Sequence, residues 1–159
     1  GGLQAAEKIG VPMRGGVELA NQSTTLQFEN WSLPIVSLQE VEKMTTEGDG
    51  VIIDVRDAYR YLGESEPIDL VAGHIPGAIN IPFSENLDDD NCFLSPEILK
   101  NKYKEILKEG KSENVVIHCG SGVTACHTLL AMDYAGLPIP SLYVGSWSEW
   151  SRNDLPMIP

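Results

Sequence analysis

The chain has 159 residues, 42% of them hydrophobic and 21% charged, the profile of one globular domain rather than a disordered segment. Against 11 Lys and Arg stand 23 Asp and Glu, a formal net charge of −12. Such a surface repels phosphate backbones and anionic lipids, so neither nucleic acid nor a membrane is expected as a partner. No apolar run approaches the roughly 20 residues of a membrane span, and no basic-then-apolar leader is read at the N-terminus. Cys92, Cys119 and Cys126 are too few and too uneven for a disulfide framework. They suit a reducing, cytoplasmic setting, where a cysteine is either buried filler or a reactive thiol.

Residues 1–34 are rich in turn formers, among them Gly10, Pro12, Gly15, Gly16 and Pro34, and read mostly as tail and linker. Within them, Gly1 to Met13 (GGLQAAEKIGVPM) aligns without gaps on Gly145 to Met157 (GSWSEWSRNDLPM), and Lys8 faces Arg152. Residues 1–13 are therefore expected to be the tail of a preceding copy of the same domain, 14–34 an interdomain linker, and 35–159 the domain itself.

Ser37 and Glu40 form a capping box ahead of a helix carrying Leu38, Val41 and Met44, stopped by Gly48 and Gly50. Val51 to Ile53 reads as a buried strand, Gly73 to Gly77 as a turn, and Ala78 to Ile81 as a second strand. Ser95 and Pro96 open a helix with Ile98, Leu99, Tyr103, Ile106 and Leu107 on its apolar face, and Gly110 ends it. Val115 to Ile117 is a third strand. A helix from about Val123 to Ala135 follows, with Cys126 and Leu130 on one face, and Cys126 reads as core. Leu142 to Val144 is a fourth strand, and Trp147 to Arg152 a last helical turn whose tryptophans pack in the core or on a neighbouring domain. Strands alternating with helices predict an α/β fold: a parallel sheet of four or five strands flanked by helices on both faces.

The chemistry concentrates in His118-Cys119-Gly120-Ser121-Gly122-Val123-Thr124-Ala125, between a strand and a helix. Parallel sheets place ligand sites at this end of their strands. Two glycines in four residues let the backbone curl with its N–H groups inward, and a helix N-terminus continues the nest, a combination that binds anions. A thiol at its mouth is expected to ionise readily. Cys119 could equally be small core filler, but strand, Cys, Gly-x-Gly and helix together favour a nucleophile. A phosphatase of this loop type needs Arg where this chain has Ala125, and is disfavoured.

Cys119 to Ala125, CGSGVTA, resembles the active-site loop of the rhodanese sulfurtransferases, of the 3-mercaptopyruvate type. Asp54-Val55-Arg56 with Gly73 to Pro82 (GHIPGAINIP) resembles the family's upstream signature, and Tyr143 to Trp150 (YVGSWSEW) its closing segment. The likeness covers about residues 35–159. It implies a two-domain enzyme whose second domain holds the reactive cysteine. It also implies transfer of sulfur from a small anionic donor, 3-mercaptopyruvate or thiosulfate, through a Cys119 persulfide. The acceptor would be cyanide or a thiol, including one on a thioredoxin-like protein, and no cofactor is called for. The backbone of Gly120, Ser121, Gly122, Val123 and Thr124 would hold the sulfur. Ser121 would relay a proton or tie the loop, and Thr124 would cap the helix or fix the loop. Arg60 matches a substrate-carboxylate arginine, against the alternative of a surface arginine paired with Glu64 or Glu66. The second arginine usual in the family is missing from Glu66-Pro67-Ile68-Asp69. A docking or regulatory module of the same fold is the alternative to an enzyme.

Among the remaining residues, Arg56 reads as structural, paired with Asp54 or Asp57. His74 is expected to fix its turn, and His118 to be a satisfied core histidine. Asp88 to Asp90 reads as a solvated loop. The Cys and His spacing matches no zinc pattern, so no metal is expected.

Overall fold

A computed structural model describes residues 1–17, 32–109 and 114–159. The chain runs α1 (Gly2–Lys8), β1 (Ile35–Val36), α2 (Leu38–Glu47), β2 (Val51–Asp54), α3 (Ala58–Tyr61), β3 (Ile79–Asn80), a 3-10 turn (Phe83–Asn86), α4 (Pro96–Glu109), β4 (Val115–His118), α5 (Val123–Tyr134), β5 (Ser141–Tyr143) and α6 (Ser146–Trp150). The five strands form one parallel sheet in the order β1-β5-β4-β2-β3. Four strands fall where the sequence predicts them, with β5 shifted by one residue. The edge strand β1, whose Ile35 and Val36 pair with Leu142 and Tyr143, lies where the sequence shows only the entry to the domain. Gly110 and most of the 14–34 segment lie outside the described residues.

Successive side chains on a strand point to opposite faces, and the core divides on that parity. Ile53, Val55, Val115, Ile117 and Cys119 pack with Leu99 and Tyr103 of α4 and Leu129 and Met132 of α5. Ile52, Val116 and Tyr143 pack on the other face with Val41 of α2 and Trp147 and Trp150 of α6. Both tryptophans are therefore core, as the first of the two expected placements has it. The capping box forms as read: Ser37 Oγ accepts the Glu40 N–H, the Glu40 carboxylate accepts the Ser37 N–H, and Gly48 closes α2 at φ +66.

Two expectations need correction. On α5 the buried stripe is Ala125, Thr128, Leu129 and Met132, at spacing i, i+3, i+4, i+7. Cys126 sits one residue out of that phase and is exposed, as is Leu130. Ile98 of α4 is likewise 52% exposed, while Leu99 and Tyr103 on the adjoining stripe are fully buried.

The strand order places the site. The chain leaves β2 toward β3 on one side and β4 toward β5 on the other. The loops that follow β2 and β4 diverge and open a crevice at the carboxyl ends of neighbouring strands, where open α/β sheets bind ligands.

Candidate active site

β4 is buried along its length, and Cys119 continues the parity of Val115 and Ile117, so its side chain stays against α5 with 2% exposure. Gly120, Ser121 and Gly122 then turn the chain into α5. Gly122 holds φ +82 and ψ −15 as the N-cap residue. A Cβ there would stand 2.9 Å from the Val144 carbonyl oxygen, so only glycine fits both the backbone and the space. Among the described residues the N–H groups of residues 120–124 donate to no acceptor. A run of unengaged amides leading into a helix N-terminus is a nest for an anion. His118 has the opposite parity and points away from Cys119. Its Nε2 lies 3.7 Å from Asp54 Oδ2, and its Nδ1 3.2 Å from the Cys119 carbonyl. Burial pushes its pKa below the ordinary value although Asp54 pulls the other way, so the ring is neutral. It is the expected core histidine, only half satisfied: Nε2 has no hydrogen-bond partner.

The loop after β2 supplies the facing wall. Arg56 is buried over the Trp147 ring, bound to Asp54 through Nε and Nη2 (3.0 and 2.6 Å), to Glu66 through Nη1 (3.2 Å) and to the Gly73 carbonyl. That is the structural role read for it, with Asp54 as partner. Arg60, on α3, donates through Nε and Nη2 to Glu66 (3.1 and 2.7 Å) and through Nη2 to Asp69 (3.4 Å). Asp69 also accepts from Ser148 Oγ (2.6 Å) and Arg152 (3.2 Å). Burial works against the charge on Arg60, but Glu66 and Asp69 outweigh it and its pKa is raised. A Cβ on Gly120 would meet Arg60 Nη2 at 3.4 Å and Nη1 at 3.6 Å, so this guanidinium lies directly beside the loop. Nη1 makes no hydrogen bond among the described residues.

Comparison with known proteins bears on this geometry. The family model of the rhodanese-like domain matches residues 37–153. The chain belongs to the rhodanese family. It is 39% identical over 150 residues, 94% of its own length, to a probable 3-mercaptopyruvate sulfurtransferase of Pseudomonas aeruginosa, and spans 52% of that relative. It is 40% identical over 108 residues to the thiosulfate sulfurtransferase of Rattus norvegicus, covering 66% of this chain and 36% of that protein. The 3-mercaptopyruvate sulfurtransferase of Leishmania major superposes with a TM-score of 0.76 at 30% identity, over 96% of this chain and 42% of the other. The chain thus spans about half the length, or less, of the relatives it matches.

Within this rhodanese fold the structure brings Cys119, Gly120, Gly122 and Arg60 to one place. Ser121 is exposed on the loop, Val123 is 73% exposed at the start of α5, and Thr124 is half-buried as its second residue. The helix cap is Gly122, so Thr124 does not cap it. Ala125 is fully buried on the core side of α5, and its methyl group offers an anion no donor. His74 fixes its turn as expected, through Nδ1 to the Tyr61 carbonyl (2.8 Å) and a backbone pair with Ile158. Arg60 is buried rather than a surface arginine, and Glu66 holds it, as the alternative reading has it. Sequence reasoning missed Asp69, Ser146 and Ser148 as neighbours of the loop. No local pattern marks them, because they meet the loop only through contacts distant in sequence.

Proposed function

We propose that this chain transfers sulfane sulfur through a persulfide on Cys119. The observation that carries the reading is the run of five unengaged amides that directly follows Cys119, with Arg60 beside Gly120. As thiolate, Cys119 attacks the outer sulfur of the donor. With thiosulfate the S–S bond breaks, sulfite leaves with the electron pair, and a Cys119 persulfide remains. With 3-mercaptopyruvate the C–S bond breaks, the carbon takes the electron pair, and a proton taken up there, relayed by Ser121, gives pyruvate. Cyanide or a thiol then attacks the outer persulfide sulfur and restores Cys119. The amides of residues 120–124 stabilise the sulfur anion, and Arg60 Nη1 binds the donor's carboxylate or sulfonate oxygens.

The names of the relatives support this donor class. The same reading takes residues 1–13 as the end of a preceding copy that packs against this domain. In its support, α1 starts one residue after Gly1 as α6 starts one residue after Gly145, and the first helical residues Gly2 and Ser146 share φ +54 and +53. A cytoplasmic setting and a thioredoxin-like acceptor fit the sparse cysteines.

The test is intact mass after incubation with each donor. The expected result is one added sulfur atom, lost on reduction and absent in Cys119→Ser, with thiocyanate formed from cyanide only by the unchanged protein. A second reading, a silent docking module of the same fold, draws on the 2% exposure of Cys119. No sulfur uptake from either donor would establish it.

A further inference from the structure

The first turn of α6 grips the root of the Cys119 loop. The Cys119 N–H donates to Ser146 Oγ at 3.1 Å. The Trp147 N–H donates to the Cys119 carbonyl at 3.0 Å, and the Ser148 N–H to the Gly120 carbonyl at 2.8 Å. A trans peptide holds its C=O and N–H on opposite sides, and the peptides of the described residues are all trans. Fastening the carbonyls of Cys119 and Gly120 to α6 therefore turns the N–H groups of Gly120 and Ser121 away from α6. These are the first two amides of the nest.

Ser146 is the keystone of this grip. It is fully buried, and its hydroxyl donates to the Tyr143 carbonyl at 2.9 Å while accepting the Cys119 N–H. The peptide between His118 and Cys119 is thus held at both ends, since the His118 carbonyl accepts the Val55 N–H at 2.9 Å. Ser146 keeps φ +53, which among the described non-glycine residues only Asn91 also does with a positive angle. A side chain in that region strains the backbone, and glycine would avoid it. A strained backbone persists where its surroundings over-determine it, and such residues gather at functional sites.

We infer that Ser146 is a positioning residue for sulfur transfer. Its hydroxyl locks the peptide entering Cys119 and, with the α6 amides, aims the following amides at the anion. The inference rests on the reading of Cys119 as sulfur carrier.

Ser146→Gly removes the hydroxyl and relieves the backbone, and Ser146→Ala removes the hydroxyl alone. Two readouts are taken on the full chain: protection of Cys119 from iodoacetamide by inorganic sulfate, followed on the Cys119 peptide by mass, and the rate of sulfur loading from thiosulfate. Ser146→Gly is expected to fold with an unfolding temperature close to that of the unchanged protein. The sulfate concentration needed for protection should rise about tenfold, the scale of one lost hydrogen bond, and loading should slow in step. A folded Ser146→Gly with unchanged protection and loading overturns the inference. Failure of both variants to fold overturns it too, because the hydroxyl would then hold the fold rather than aim the loop. If the unchanged protein takes up no sulfur, the proposed function fails separately, and sulfate protection still reports on the grip.

Discussion

Gly122→Ala perturbs the nest at its narrowest point. The residue holds φ +82, where an L side chain costs about 1–2 kcal/mol. The new methyl would stand 2.9 Å from the Val144 carbonyl oxygen and 3.6 Å from its Cα. That neighbour is backbone, joined through Tyr143 and Ser146 to the sheet and to α6, so it cannot swing aside. Overpacking of this kind adds about 1–3 kcal/mol. A total near 3 kcal/mol, with a urea slope of about 2 kcal/mol/M, moves the unfolding midpoint down by about 1.5 M. The loop can escape part of that strain only by opening, so sulfur loading of the still-folded fraction should also fall. Gly120→Ala is the control. Its methyl would meet only the ends of flexible side chains, Arg60 Nη2 at 3.4 Å and Asp69 Oδ2 at 3.8 Å. It should leave the midpoint within about 0.5 kcal/mol of the unchanged protein while slowing loading, because it stands between the loop and the guanidinium. Equal midpoints for Gly122→Ala and the unchanged protein, or equal destabilisation by the two alanines, would refute the reasoning.

Two further outcomes follow from charge. Glu66 is raised by burial but held below the ordinary carboxylate pKa by Arg60 and by the N–H groups of Asp69 and Ile68, so its contribution to stability is fully present above about pH 4.3 and is lost as pH falls through its depressed folded value. Glu66→Gln leaves Arg56 and Arg60 short of a buried partner and should cost about 3 kcal/mol, read as a fall of roughly 6–12 °C in Tm at neutral pH, a difference that narrows on acidification. Loading from thiosulfate should quicken between about 10 and 150 mM of a weakly binding salt, as screening shortens the reach of the acidic surface, whereas the neutral iodoacetamide should react at a constant rate.

What the sequence shows plainly is what is local. The capping box of Ser37 and Glu40, the apolar runs of β2 and β4, and the Cys119 to Gly122 turn are each specified by residues within a few positions of one another. β1 was hidden because two residues carry no periodicity, and its pairing with β5 joins positions about a hundred apart. The four-residue α3 was equally silent, with no side-chain cap to announce it. Cys126 was misread because α5 is apolar on nearly every side, and a one-residue error of phase turns an exposed thiol inward. The site divides in the same way. Cys119 and its glycines form one contiguous motif, but the acids that hold Arg60 and the serines that grip the loop reach it through the tertiary fold. The Ser148 to Asp69 hydrogen bond spans 79 positions, and no pattern within either segment foretells it.

The acid excess sharpens the question of how an anion is attracted at all. Three of the four arginines, Arg56, Arg60 and Arg152, gather beside the loop, which suggests a local positive field set against the net −12. Each is answered by a carboxylate: Asp54, Glu66 and Asp69 sit among them, with side chains at most 3% exposed. Three cations against three anions leave the wall without surplus charge. On the proposed function, what remains for a donor is direction rather than quantity: Arg60 Nη1, held at a fixed angle by Glu66, and a series of backbone dipoles that no salt bridge cancels. Fixed dipoles need no reorganisation when charge moves onto sulfur. If Cys119 carries sulfur as proposed, the rate depends on the aim of a few peptide planes, which the hydrogen bonds from α6 fix from the far side of the loop.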